Sequence, residues 1–344
     1  MDIKDAVKEN VLPFLSAKIL TKFRSVSTQW DHWIQTPFLA HLQTHTFQDI
    51  SGFFYQRGDT SPMFLNLDPA AYGVPMPPLG FLPGPVDLIG SCHGLLLCQA
   101  RAGNNPYFIC NPATKNWKQL PKPEYYHGPN SAHVLAFEPY VHNIEGHYQL
   151  VCAVPLIGQP IVCFEIYSSE TGSWHCSDAI CAELGEDFWA AGPGFYMKGT
   201  AYWVTSKMQV LAYDLKNEVY GIILLPTESS PGGVLAQIGD ELCYISISNT
   251  SDDNYVIRIN HGYDLRLRQG IDLQLEGVPA GIKGTYRVLA CVGGDKLMIL
   301  VGSVVYSYGL SDEKVEVVSN GGGVVGSPDI AKIVPYVNSL VRVV

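Results

Sequence analysis

The sequence predicts a mainly β protein, a propeller of about six or seven blades preceded by a small α-helical module. Three observations carry this. A hairpin-like unit, Tyr107–Pro121 (YFICNPATKNWKQLP), recurs with variation along most of the chain. A second unit, a turn at glycine followed by a strand, recurs at roughly 40 to 55 residues, the size of a four-stranded blade. The apolar spacing also changes from helical to strand-like near Phe47.

The helical module is assigned to residues 1–45. Leu12, Leu15, Ile19, Phe23, Val26, Trp30 and Trp33 are spaced by threes and fours, which makes one apolar helical stripe. Pro13 ends a first helix built on Ala6 to Leu12. Ser16 is placed to cap a second helix, Ala17 to Val26, and Ser27 a third, Thr28 to Ile34. Thr36-Pro37 reads as an N-cap followed by proline at the first helical position, opening a fourth helix from Pro37 to Thr44. Helices this short are marginal alone and need a partner to cover the stripe.

The propeller is assigned to residues 46–344. In the template unit, the apolar run Tyr107 to Cys110 leads into a polar turn holding Pro112 and Asn116. Trp117 to Leu120 then forms a second strand that stops at Pro121. The unit returns at Phe164 to Trp174, Leu211 to Pro226 and Val304 to Ser319. The glycine-turn unit appears in SCHGLLLC from Ser91, YMKGTAYWV from Tyr196, QIGDELCYI from Gln237 and VGGDKLMIL from Val292. The 33 glycines and 23 prolines suit so many turns.

At 344 residues, 47% hydrophobic and 16% charged, the chain has more core than one small domain needs. A net charge of -10 argues against a broad nucleic-acid surface, which requires clustered Lys and Arg. MDIKDAVKEN lacks a signal-peptide apolar core. The most apolar window, Leu150 to Phe164, is interrupted by Pro155, Gly158, Gln159 and Pro160, so no membrane span is expected. These features predict a soluble protein of the cytoplasm and/or nucleus. Nine cysteines without a C-x-x-C pair, among them Cys98, Cys110, Cys163 and Cys243 in apolar strand runs, are expected to be reduced and mostly buried.

Most short motifs carry no chemistry. GGGVVG at Gly321 to Gly326 formally reads G-x-G-x-x-G, but Pro328 and Pro335 leave no room for the helix a dinucleotide site needs. His41 and His45 lack the glutamate of H-E-x-x-H and read as surface or interface residues. GSCHG at Gly90 to Gly94 is not G-x-S-x-G, and His93 reads as a turn residue. Asn249-Thr250-Ser251 is a formal sequon without consequence outside the secretory path, and Asp252-Asp253 reads as a solvated loop. No catalytic residue, metal or cofactor is expected. Trp117, Trp174 and Trp203 lie in strand patterns and are expected in the core between blades. Tyr125-Tyr126-His127 and Phe188-Trp189 lie in stretches rich in Gly, Pro and Glu, where aromatics either anchor a partner or fold back on the blades.

LSAKILTKFRSVSTQWDHWI, Leu15 to Ile34, resembles the second half of a plant F-box. Lys18, Leu20, Phe23, Arg24, Val26, Ser27, Trp30 and Ile34 fall on its pattern positions. GSCHGLLLC, NPATKNW with LP, IYSSETGSW and PYVNSLV follow in the order of the F-box-associated, kelch-like domain of plant F-box proteins. The resemblance covers nearly the whole chain. It implies a kelch-like propeller serving as the non-catalytic substrate receptor of an SCF (Skp–cullin–F-box) ubiquitin ligase, acting by proximity alone. Leu12, Pro13, Leu15, Lys18, Ile19, Leu20, Phe23, Val26 and Trp30 would then face a Skp-type adaptor, and through it a cullin–RING ligase. Tyr125, Tyr126, Phe188 and Trp189 would face an unidentified target protein.

Two departures bear on this. Asp2-Ile3 stands where the family opens with Leu-Pro, and Ser16 where a second proline is usual. They keep open a target-binding propeller that has lost its adaptor. A kelch-type propeller enzyme, an oxidase or glycan hydrolase, is the other alternative and would need a metal or paired carboxylates.

Overall fold

The computed structural model describes residues 3–47, 50–67, 74, 78–129, 131–139, 142–185, 188–190, 192–227, 229–251, 254–274, 286–302, 304–320 and 330–344. Asp2, Asp252-Asp253 and the glycine run 321–326 lie outside the described residues.

The chain opens with α1 (Ile3–Asn10), a 3-10 turn (Leu12–Phe14), α2 (Ala17–Phe23), α3 (Thr28–Ile34) and α4 (Pro37–Thr46). Ser27 Oγ accepts the Trp30 amide at 3.2 Å, and Thr36 Oγ1 accepts the Leu39 amide at 3.3 Å, with Pro37 just inside the helix. These caps set the starts of α3 and α4. Ser16 makes no such bond. Pro13 falls inside the 3-10 turn, so α1 stops before the expected Leu12, and α2 ends at Phe23 rather than Val26. Leu12, Ala17, Leu20, Ile34, Leu39 and Ala40 form the module's core together with Leu340 from the far end of the chain.

Six antiparallel sheets follow, at the lower end of the expected six or seven. The first is built from both ends of the propeller. It holds β1 (Gly52–Arg57), β2 (Met63–Asn66) and the last strand, β23 (Ile330–Tyr336), in the order β2-β1-β23. The second blade is β3 (Val86–Cys92), β4 (Leu95–Ala100), β5 (Tyr107–Asn111) and β6 (Asn116–Gln119). The third is β7 (Ala132–Ala136), β8 (Gln149–Pro155), β9 (Val162–Ser168) and β10 (Ser173–Cys181). The fourth is β11 (Phe195–Met197), β12 (Thr200–Val204), β13 (Gln209–Asp214) and β14 (Val219–Leu224). The fifth is β15 (Val234–Ile238), β16 (Glu241–Ser251), β17 (Asn254–His261) and β18 (Leu267–Gln274). The sixth is β19 (Tyr286–Val292), β20 (Lys296–Val301), β21 (Val304–Gly309) and β22 (Val315–Asn320).

The first strands β3, β7, β11, β15 and β19 pack on one another around the axis, and β23 takes the sixth place between β19 and β3. Pairing of Phe54 with Val334 and Gly52 with Tyr336 therefore closes the ring. Each inner strand is the edge of its own sheet, short and sheltered by its neighbours around the axis. The template hairpin is the outer pair of strands in the second, third, fourth and sixth blades, and the glycine-turn unit is the inner pair in the second, fourth, fifth and sixth.

The blades bury their aromatics against each other. Phe164 of β9 stacks on Tyr213 of β13 with centroids 4.4 Å apart, and Trp203 is fully buried beside them. Trp174 is half-buried. Trp117 departs from the core expectation. It lies on β6, the outermost strand of its blade, where no further strand covers it, and stays exposed while its ring meets the edge of Phe108. The nine cysteines are free thiols, six of them buried and three half-buried. No helix among the described residues is long and apolar enough to cross a membrane.

Alternating strand direction gives the propeller two unlike faces. Turns within the inner and outer hairpins open on one, and blade-to-blade connectors open on the other. The C-terminal tail lies on the turn face. Asn111 Nδ2 donates to the carbonyls of Ser339 (2.9 Å) and Val341 (2.7 Å), and a Cβ on Gly94 (φ +90°) would stand 2.0 Å from Ser339 Oγ. The tail and the 142–146 loop hold the helical module on that same face, where His41 bonds to the Asn143 backbone and Ala40 and Gly146 line the same small cleft.

Candidate functional site

The helical module turns part of its apolar surface inward and part outward. Leu12, Pro13 and Leu20, expected at a partner interface, are buried inside the module or against the tail. The cause is helical phase. In α2 the inward face is Ala17 and Leu20, three apart, so Ile19 and Phe23 fall on the flank. Leu15, Phe23 and Trp30 are half-buried against the core, Lys18 and Ile19 are half-buried, and Val26 is 62% exposed. Two large apolar residues that the stripe does not contain also stand out: Phe14 at 61% and Phe38 at 57% exposed. Their signal in the sequence is weak. Phe14 lies in a 3-10 turn and Phe38 is the second residue of α4, directly after Pro37, and neither belongs to the stripe read from Leu12 to Trp33.

Connectors between blades carry the other candidates. Tyr125 and Tyr126 lie between β6 and β7, Phe188 and Trp189 between β10 and β11, so both pairs belong to the face opposite the helices. Tyr126 (70% exposed) and Trp189 (63%) project to solvent. Tyr125 is half-buried against the blades. Phe188, expected as an exposed anchor, is 1% exposed and packs in the core of the third and fourth blades. Each pair thus splits, one ring packed against the blades and the other in solvent.

The Tyr125–Tyr126 connector is pinned from below. Glu165 of β9, fully buried, accepts the backbone amides of Glu124 (2.6 Å) and Tyr125 (3.2 Å) and lies 2.9 Å from His127 Nε2. Because a carboxylate only accepts, His127 donates from Nε2 and turns an Nδ1 lone pair inward. Tyr107 Oη lies 2.9 Å from that Nδ1 and 2.6 Å from His133 Nε2. One hydroxyl proton serves two nitrogens, so Tyr107 donates to His127 and accepts from His133. Burial pushes the His133 imidazole down to about 3, which keeps it neutral. The Cys152 thiol, buried beside the two rings, is raised well above its ordinary value by desolvation and then by Glu165. In the sequence His127 reads only as part of an aromatic loop; the other members are scattered over 59 positions, and strand pairing brings them together.

Comparison with known proteins follows this geometry. The profile of the F-box associated beta propeller domain matches residues 85–259, from the second blade into the fifth. The chain is similar to three proteins of Arabidopsis thaliana. It is 27% identical over 286 residues to F-box protein At5g07610, which covers 74% of this chain and 66% of that one. With F-box protein At5g03970 it is 25% identical over 230 residues, 60% and 53% of the two chains. With F-box protein At3g26010 it is 23% identical over 248 residues, 67% and 56%. The chain thus spans 53% to 66% of the length of these relatives.

Proposed function

The chain belongs to the F-box associated β-propeller family of plant F-box proteins, and on that premise we propose that it is the substrate-recognition subunit of an SCF ubiquitin ligase. Proteins of this kind are generally non-catalytic. The helical module would dock on a Skp-type adaptor, and the connector face would hold a target protein for transfer of ubiquitin by the cullin–RING machinery. The chain itself carries out no covalent step; its contribution is proximity and orientation. It would work in the cytoplasm and/or nucleus.

The observation that carries the reading is the outward apolar surface of the module. Phe14, Val26 and Phe38 stay exposed on short helices whose own core is already filled by Leu12, Leu20, Ile34 and Leu39. Scattered apolar side chains are ordinary on a surface, but large ones grouped on a 45-residue module suit a partner's groove. The opposed faces also support it, since a target held on the connectors leaves the adaptor side unobstructed.

Co-expression of the chain with a Skp-type adaptor tests the reading. The two should purify as one complex. Should the chain purify alone with its helices folded by circular dichroism, the departures at Asp2-Ile3 and Ser16 have removed adaptor binding. The molecule would then be a propeller that sequesters its target.

A further inference from the structure

We propose that His127, His133 and Cys152, with Tyr107 as oxygen donor, form a tetrahedral site for a divalent transition metal, zinc by its ligand chemistry, that clamps the connector segment 121–129 to the second and third blades. One nitrogen of each imidazole and the thiol sulphur lie within 4.8 Å of one another. Strand pairing, not chance proximity, brings the residues together. His133 stands opposite Cys152, Cys152 opposite Glu165, and Glu165 opposite Cys176, so four ligand-type residues form one row across the third blade. The neighbouring row, Val134, Val151 and Ile166, is apolar. Directly paired residues share a face of the sheet, and this row faces Tyr107 of the second blade.

The surroundings match those of a metal ligand set. The Glu165 carboxylate holds His127 by Nε2 and leaves Nδ1 as an inward donor, an arrangement that orients metal-bound histidines and raises their basicity. His133 turns its Nε2 to the same centre, 2.6 Å from Tyr107 Oη. Two imidazoles, a thiolate and one oxygen suit zinc rather than calcium or magnesium, which take oxygen ligands. Zinc bonds of about 2.0–2.1 Å to nitrogen and 2.3 Å to sulphur imply ligand separations of about 3.3–3.6 Å. The three donors would therefore move inward by about 1 Å, a rotamer-scale adjustment. On binding, Cys152 and Tyr107 release their thiol and phenol protons to solvent, and the single proton of His133 moves from Nε2 to Nδ1, freeing the Nε2 lone pair for the metal. The hydrogen bonds that Tyr107 makes to the two rings give way to metal bonds. Because the donors come from the connector, β7, β8 and β5, the ion cross-links four segments.

Cobalt(II), used as a spectroscopic substitute for zinc on the chelator-stripped full-length chain, tests this directly. We expect about one equivalent to bind, with the intense visible bands of a tetrahedral ion and a sulphur-to-cobalt charge-transfer band. Cys152→Ala should abolish the charge-transfer band, while Cys98→Ala, a buried thiol in the second blade, should leave it intact. Glu165→Gln should weaken the affinity about 10–100-fold. If Cys152→Ala fails to fold, alkylation of the wild-type chain decides: zinc should protect Cys152 selectively when the cysteines are mapped by mass spectrometry. The proposal is overturned if cobalt gives no tetrahedral spectrum, if the charge-transfer band survives Cys152→Ala, or if zinc leaves Cys152 as reactive as Cys98. None of these outcomes depends on adaptor or target binding.

Discussion

The backbone amide of Leu340 donates to Gln43 Oε1 at 3.2 Å, so the last residues of the chain are bonded to the fourth helix. Gln43 Nε2 in turn faces the carbonyls of Asn338 (3.4 Å) and Leu15 (3.5 Å), and the side chain is wholly buried. One glutamine thus joins the helical module, the tail that follows the ring-closing strand and the turn before α2. Gln43→Leu should leave a buried amide and carbonyl without partners and lower stability by about 1–3 kcal/mol. Urea unfolding of both proteins checks this; equal midpoints would show that the bonds contribute nothing net.

Ser16 stands where the F-box pattern that this stretch resembles has proline. Its hydroxyl is buried and has no hydrogen-bond partner among the described residues. Its φ of -61°, and the extended backbone of Leu15 before it, already satisfy what proline requires. Ser16→Pro should raise stability by about 0.4–1 kcal/mol through the unfolded chain, and removal of the orphan hydroxyl adds to that. A lower melting temperature in the variant would contradict the assignment.

His93 gives the fold a defined acid sensitivity. It sits in the β3–β4 turn at φ 44°, its ring against Phe137, and burial, with a smaller contribution from His45 of α4, pushes its pKa from 6.5 down to about 4. The folded protein therefore holds His93 neutral where the unfolded chain protonates it. Above about pH 6.5 neither state binds the proton and there is no penalty. As pH falls from about 6.5 to 4 the unfolded state gains it first, and stability drops by up to about 1.4 kcal/mol per pH unit from this group. His93→Asn tolerates the positive φ and removes that slope. Unfolding free energies measured from neutral pH to about pH 4 should show the variant gaining on wild type as pH falls; parallel curves would exclude His93 as the cause.

The outer halves of the second, third, fourth and sixth blades were legible in the sequence because they are local. Tyr107 to Pro121 contains both strands and their turn, and three copies of that pattern became outer hairpins. The inner hairpin of the third blade was not legible. Residues 137–148 separate β7 from β8, and their one glycine, Gly146 (φ +81°), does not lead directly into a strand as in the recurring unit, so the spacing from Gly94 to Gly199 spans two blades. Closure was also hidden, since nothing local in AKIVPY shows that it pairs with GFFYQR nearly 280 residues earlier. At the candidate sites, the aromatic pairs were found but not which member of each faces out, because the backbone direction of a connector has no sequence period. The Glu165–His127–Tyr107–His133 chain depends on register across four strands and two blades.

Tyr126 and Trp189 are the exposed members of those pairs, on neighbouring connectors of the face opposite the helices. Tyr126→Ala and Trp189→Ala should each weaken target capture, by about 2 kcal/mol or more if the residue fills a partner pocket, with melting temperature unchanged. Phe188→Ala should instead unfold the protein by about 3–5 kcal/mol, because it empties a core position. Quantitative recovery of the co-purified target by wild type and variants distinguishes these outcomes. Undiminished capture by both surface variants would move the target site elsewhere.

Titration of the purified chain with a purified Skp-type adaptor by calorimetry is the most direct measurement of the receptor reading. Wild type should bind with one-to-one stoichiometry. Phe14→Ser with Phe38→Ser, both exposed and outside the module's core, should weaken binding by about 100-fold or more at an unchanged melting temperature. A wild-type chain with folded helices that gives no binding heat, and no adaptor retention in a parallel pull-down, would contradict the account. So would a double variant that binds the adaptor as tightly as wild type.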